Sequence, residues 1–158
     1  METRIDLMTN EVGMKLAKRM AAVHGVIQQT TLPESVQALV LMRASQINGC
    51  GHCLDMHAKE ALAAGETQDR LNLVAGWRHS TVFTEAEQAA LALTEEGTRL
   101  ADGVCDETWS LAAKHYSEDE LIALVTVIAM INAANRVAVM LNQLGGSYTP
   151  GLFAQVAG

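Results

Sequence analysis

An all-α fold is predicted, in a single domain of about six or seven helices, on three observations. Apolar residues recur at spacings of three and four along most of the chain. No segment alternates with period two over a strand's length, and glycine and proline, with 12 and 2 copies in 158 residues, break the pattern only lightly. No internal repeat, low-complexity stretch or linker divides the chain, so one domain is expected over residues 1–158.

The elements follow in order. Residues 9–29 place Val12, Leu16, Met20, Val23 and Ile27 on one helical stripe. Pro33 and Glu34 then suit a helix start, since proline's missing N–H costs nothing there and the carboxylate faces the positive dipole end. That helix carries Val36, Leu39, Val40 and Ile47 and stops near Asn48-Gly49. A third begins at Cys50 and Cys53 and ends at Ala64-Gly65, a glycine stop. A fourth covers residues 68–77. Thr84 followed by Glu87 forms a capping box opening a fifth, with Ala86, Ala90, Leu93, Gly97 and Leu100 on its stripe. Residues 107–115 make a short sixth. Ser117 caps a seventh that is expected to run to about Leu144, and residues 146–158 read as a loose tail.

That seventh helix has no charge from 121 to 131 (LIALVTVIAMI). Eleven residues are about half of the ~20 a bilayer requires. A central or interfacial helix is therefore expected instead of a membrane span, and with it a homo-oligomer.

Composition narrows the function. With 49% apolar residues the chain is not disordered, and a net charge of −7 without a basic cluster argues against a nucleic-acid partner. Three cysteines do not make a secreted disulfide framework, and the start, METRIDLMTN, lacks a signal-peptide apolar core. A cytoplasmic location is the expectation.

The strongest local signal is Cys50-Gly51-His52-Cys53-Leu54-Asp55-Met56-His57. Thiols three apart on a helix share a face, and a helix N-terminus stabilises thiolate. His57 lies one turn beyond Cys53, and helical side chains lean toward the N-terminus, which makes it the nearest candidate base. His52 projects from another face. A zinc site would need a fourth ligand beyond Cys50, Cys53 and His57, so no metal is expected. A thioredoxin-type setting would need strands, and inert packing of two thiols is the remaining alternative. Cys105, without a partner or base nearby in sequence, reads as structural.

A longer series of motifs carries a resemblance. Arg43-Ala-Ser-Gln-Ile-Asn-Gly-Cys50, Cys53-Leu-Asp-Met-His57, Ala64-Gly65-Glu66, Trp77-Arg78, Phe83-Thr-Glu-Ala-Glu87 and Asn132-Ala-Ala-Asn135-Arg136 resemble the AhpD-like alkylhydroperoxidases of the carboxymuconolactone decarboxylase superfamily, over residues 4–142. The resemblance implies a helical domain assembled as trimers or hexamers that reduces organic hydroperoxides without a prosthetic cofactor. By the same resemblance Cys53 is the peroxidatic thiol, Cys50 the resolving thiol and His57 a relay base. The resulting disulfide is returned by a dithiol, a lipoyl group on a partner protein in the best-known relatives.

Three positions depart from the pattern. The family's relay Glu is Ala38 here, His79 stands where many relatives have Glu, and Ala134 where they often have Trp. Without the relay acid a slow peroxidase is expected unless His52, His79 or Glu60 substitutes, since a positioned base contributes about 10²–10⁴ in rate. Two alternatives accompany this reading: a decarboxylase-like lyase of the same fold, and a non-enzymatic thiol–disulfide redox sensor. Asn132, Asn135 and Arg136 are read as helix–helix hydrogen-bonding groups in a buried interface.

Overall fold

A computed structural model of the chain describes residues 2–152, which form seven α-helices and one 3-10 helix with no strand among the described residues. The helices are α1 (Glu11–Ile27), α2 (Glu34–Asn48), α3 (Gly51–Ala63), α4 (Gln68–Leu73), α5 (Glu85–Arg99), α6 (Asp106–Ala113) and α7 (Glu118–Met140), with the 3-10 helix at Val74–His79.

Local chemistry sets most boundaries. Thr84 and Glu87 cap α5 reciprocally, and Ser117 and Glu120 do the same for α7, so each start satisfies two otherwise orphaned N–H groups. Gly49 ends α2 with φ +66°, a left-handed conformation open to glycine at no steric cost. The chain turns at once into α3, with Cys50 as its N-cap residue.

α2 is the hub. Its Val36 and Val40 join Leu93 of α5 and Leu124, Val127 and Ile128 of α7 in one apolar cluster. Its Leu39 and Met42 join Ala61, Leu71, Val74, Trp77 and Leu91 in a second. A helix buried on two sides needs apolar residues around much of its circumference, which explains why α2 is so weakly amphipathic.

α7 shows how an uncharged run serves a core. It is long and apolar enough to cross a membrane by length and composition alone, yet its Leu121, Leu124, Ile128 and Ile131 are buried inside this fold. Ile122, Val125, Val139 and Met140 face outward in the single chain. The helix stops at Met140 rather than near Leu144, because Asn142 takes a left-handed φ of 55° and the Gln143 N–H turns back to the Ala138 carbonyl.

The stripe expected on α1 is corrected. Val12, 63% exposed, Leu16 and Val23 point outward, while Gly13, Ala21 and Ile27 face the core. Apolar residues occupy both sides of α1, so periodicity alone does not choose the inward face. Close approach does: a Cβ on Gly13 would lie 2.5 Å from the Leu7 carbonyl oxygen, so only glycine fits that contact. On α5 the stripe holds through Leu93, but Leu100 is exposed at the helix end.

A buried polar network ties α7 to α2 and α5. Asn135, with no exposed surface, donates to Ser45 Oγ at 3.1 Å. The Asn48 amide donates to both Asn132 Oδ1 and Asn135 Oδ1 at 2.9 Å, Asn132 donates to Thr98 Oγ1, and Arg136 donates back to Asn132. The network is thus helix–helix bonding within the chain. By anchoring Asn48, it fixes the last turn of α2 and the two-residue step into the cysteine pair.

Candidate redox site

Cys50 and Cys53 are joined by a disulfide across the first turn of α3, with Cα atoms 5.3 Å apart. They are 1% and 2% exposed and pack against Ala138 of α7. As N-cap, Cys50 accepts the Cys53 N–H on its Sγ at 3.2 Å, so sulfur takes one of the donors that a helix start leaves unpaired. The same donor and the helix dipole would stabilise a thiolate there once the bond is reduced.

His57 lies on the next turn of α3. The residue is half-buried, but its Nε2 is sealed from solvent and has no hydrogen-bond partner. Desolvation pushes its pKa down to about 4, reinforced by His24 and His52 and opposed by Glu60. The imidazole is therefore neutral at physiological pH, with an orphaned nitrogen on the helical turn after the cysteine pair: a group able to hold or pass a proton.

The other expected residues are placed differently. His52 sits at the rim, its Nδ1 3.4 Å from the Leu144 carbonyl. Glu60 accepts from the Gly151 N–H at 2.8 Å and from the Tyr148 hydroxyl. His79 is exposed on the 3-10 helix and lines a cavity that includes none of Cys50, Cys53 or His57. Ala38 is half-buried against the second apolar cluster, as are Leu54 and Ala58 of α3, and its side chain adds no proton-carrying group. Cys105 caps α6 and bonds with Thr108 and Glu96, far from any second cysteine in sequence.

Sequence reading missed the strap that follows α7. Residues 145–151 form a loop, but one tied across α3. Asp55 accepts the Gly146 and Tyr148 N–H groups at 2.6 and 3.0 Å, and Lys59 donates to the Tyr148 carbonyl at 2.9 Å. Lys59, paired with Asp55 Oδ1 at 2.7 Å, and the Tyr148 and Gly146 N–H groups hold the Asp55 pKa down to about 2. The rest of the expected loose tail, 153–158, lies outside the described residues. The only sequence hint was Gly145-Gly146. At Gly145 an added Cβ would stand 2.4 Å from the Gly51 carbonyl oxygen, backbone against backbone, at the very turn that carries the disulfide. Gly145→Ala is expected to lift the strap, lowering stability by about 1–3 kcal/mol as overpacking does. Reduction of the Cys50–Cys53 bond by dithiothreitol should then become faster; an unchanged reduction rate would show that the strap does not limit access.

Comparison with known proteins agrees with this architecture. The model of the carboxymuconolactone decarboxylase family matches residues 15–96. YdfG of Bacillus subtilis, itself uncharacterised, is 32% identical over 136 residues, covering 85% of this chain and 90% of that protein. Among solved structures, ATU0492 from Agrobacterium tumefaciens superimposes with a TM-score of 0.85 at 31% identity, covering 93% of this chain and all of that one. It is described as a protein of unknown function and a candidate antioxidant defence protein AhpD. The debrominase Bmp8 shares the fold, with a TM-score of 0.76 at 21% identity over 86% of this chain and 76% of that one.

Proposed function

Because the chain belongs to the carboxymuconolactone decarboxylase family, we propose that it is a thiol-dependent reductase of small organic hydroperoxides, cycling through the Cys50–Cys53 bond. The observation that carries this reading is the bonded cysteine pair at a helix start with a neutral imidazole one turn on, its Nε2 sealed from solvent and unpartnered. The AhpD-like ATU0492 is consistent with it.

The cycle balances with the residues present and one external reductant. The Cys53 thiolate attacks the distal peroxide oxygen; the O–O bond breaks, the alkoxide takes a proton and leaves as alcohol, and Cys53 becomes a sulfenic acid. The Cys50 sulfur displaces hydroxide from it, giving water and the disulfide seen in this structure. A dithiol, lipoyl-type or otherwise, then exchanges with that disulfide and is itself oxidised, restoring both thiols. His57 shuttles the proton: a thiolate beside it favours its protonated form, so the pair shares one proton as the thiol ionises. The test is consumption of an organic hydroperoxide with dithiol donors, read beside oxidation of the donor. Turnover no faster than that of a free thiol would instead favour the redox-sensor reading, which the apolar Ala38 supports.

Ala38→Glu makes that distinction sharper. It would restore a carboxylate on α2, the helix that leads into the cysteine pair, against the second apolar cluster. An increase in the hydroperoxide rate constant of about tenfold or more is expected, short of the ~10²–10⁴ of a fully positioned base. Stopped-flow oxidation of the reduced protein measures it directly; no gain would mean that another group already completes the relay.

A further inference from the structure

A second concave site lies apart from the cysteines. A cavity of about 310 Å³ opens among Arg43 of α2, Trp77, Arg78 and His79 of the 3-10 helix, and Glu95 and Arg99 of α5. Glu95 organises it. Its Oε1 accepts from Arg43 Nε at 2.7 Å and Trp77 Nε1 at 3.0 Å, Oε2 pairs with Arg78, and Arg99 stands 3.7 Å away. Burial alone would favour the neutral acid, but the bonds from Arg78, Trp77 and Arg43 win and hold its pKa below the usual value.

One buried carboxylate does not need three guanidinium groups. Arg43, nearly buried, already meets Glu95 through two of its nitrogens. Arg78 and Arg99 have side chains 51% and 58% exposed, and the Arg78 guanidinium carbon sits over the Trp77 ring, 4.2 Å from its centre. Three positive groups meet Glu95 at this cavity, and the Glu96 carboxylate also acts on Arg78, so one positive charge is left in excess there, in a chain whose net charge is −7. The next acid along, Glu96, is engaged by Thr108 Oγ1 at 2.6 Å and the Cys105 N–H at 2.9 Å. Guanidinium edges presented side by side match oxyanions in both charge and geometry.

We propose that this cavity binds a small oxyanion, a phosphate or carboxylate group, in the fork of Arg78 and Arg99 over a floor of Arg43, Glu95 and Trp77. The site is independent of the thiol chemistry, and the Cys53→Ser protein binds the anion as well as the natural chain does.

Isothermal calorimetry with inorganic phosphate and, separately, succinate tests this, at constant ionic strength made up with chloride. Saturable binding of one anion is expected, and the tighter of the two identifies the group the site takes. Arg99→Gln and Arg78→Gln should each weaken it at least tenfold, whereas Arg19→Gln, which removes an exposed charge on α1, should leave it unchanged. Because Arg78 and Arg99 are half-exposed, both variants are expected to fold, and each answers if the other does not. Absence of binding above chloride, or equal loss in Arg19→Gln, would overturn the proposal and leave the cluster as an internal ion-pair network.

Discussion

Cys53→Ser is expected to bring dithiol-supported hydroperoxide consumption down to the rate of buffer alone. A hydroxyl cannot be oxidised by peroxide as sulfur can, and the remaining sulfur, Cys50, caps the helix and lies seven residues from His57 rather than four. Cys50→Ser should behave differently: one equivalent of peroxide is consumed in a burst, and the product persists as a sulfenic acid that a dimedone-type probe traps. The contrast matters because the structure places the two sulfurs asymmetrically. Cys50 caps the helix and accepts the Cys53 N–H, while Cys53 is the thiol nearer His57 in sequence. A burst in Cys53→Ser and silence in Cys50→Ser would exchange the two roles. Equal activity in both would remove the pair from the chemistry.

His57 should make the fold sensitive to mild acid. Its pKa is about 4 in the folded chain against 6.5 for an ordinary histidine, so between those values the unfolded state binds a proton that the folded state does not. Its contribution is fully present above about pH 6.5 and is lost as pH falls toward 4, on the order of 3 kcal/mol in all and about 2 kcal/mol by pH 5. Denaturant unfolding at pH 7.5 and pH 5 reads this above the range where most carboxylates titrate. His24, also pushed down by burial, adds a loss of the same sign. His57→Leu should therefore flatten the dependence without abolishing it, and should cost little at pH 7.5, where it removes an unpartnered buried nitrogen. The same variant is expected to slow hydroperoxide reduction about 10²-fold or more. Parallel pH profiles for the two proteins would show that His57 is not the buried base described here.

Much of this was legible because local rules decided it. The capping pairs Thr84/Glu87 and Ser117/Glu120 and the helix stop at Asn48-Gly49 each act within a few residues, and each appears as expected. What was not legible depends on partners distant in the chain. Asn48 looks like a helix stop in sequence; only the arrival of α7 reveals that its amide joins Asn132 and Asn135. Asp55 looks like a surface acid until the strap returns to it. Val12 and Leu16 fit a helical stripe as well as Gly13 and Ala21 do, and the choice between them rests on how closely α1 approaches Leu7. Trp77-Arg78 carried resemblance but no chemistry until Glu95 was seen between Arg43 and Arg78.

The shortness of the Cys50–Cys53 link has a consequence for durability. It closes over residues that the start of α3 already holds in place, and cross-links add least when the segment they enclose is short. Making or severing it therefore changes the electron count of the molecule while leaving its architecture nearly indifferent. A chain built this way can be oxidised and restored through many rounds without loosening at each one, as a protein would if that bond were its principal brace.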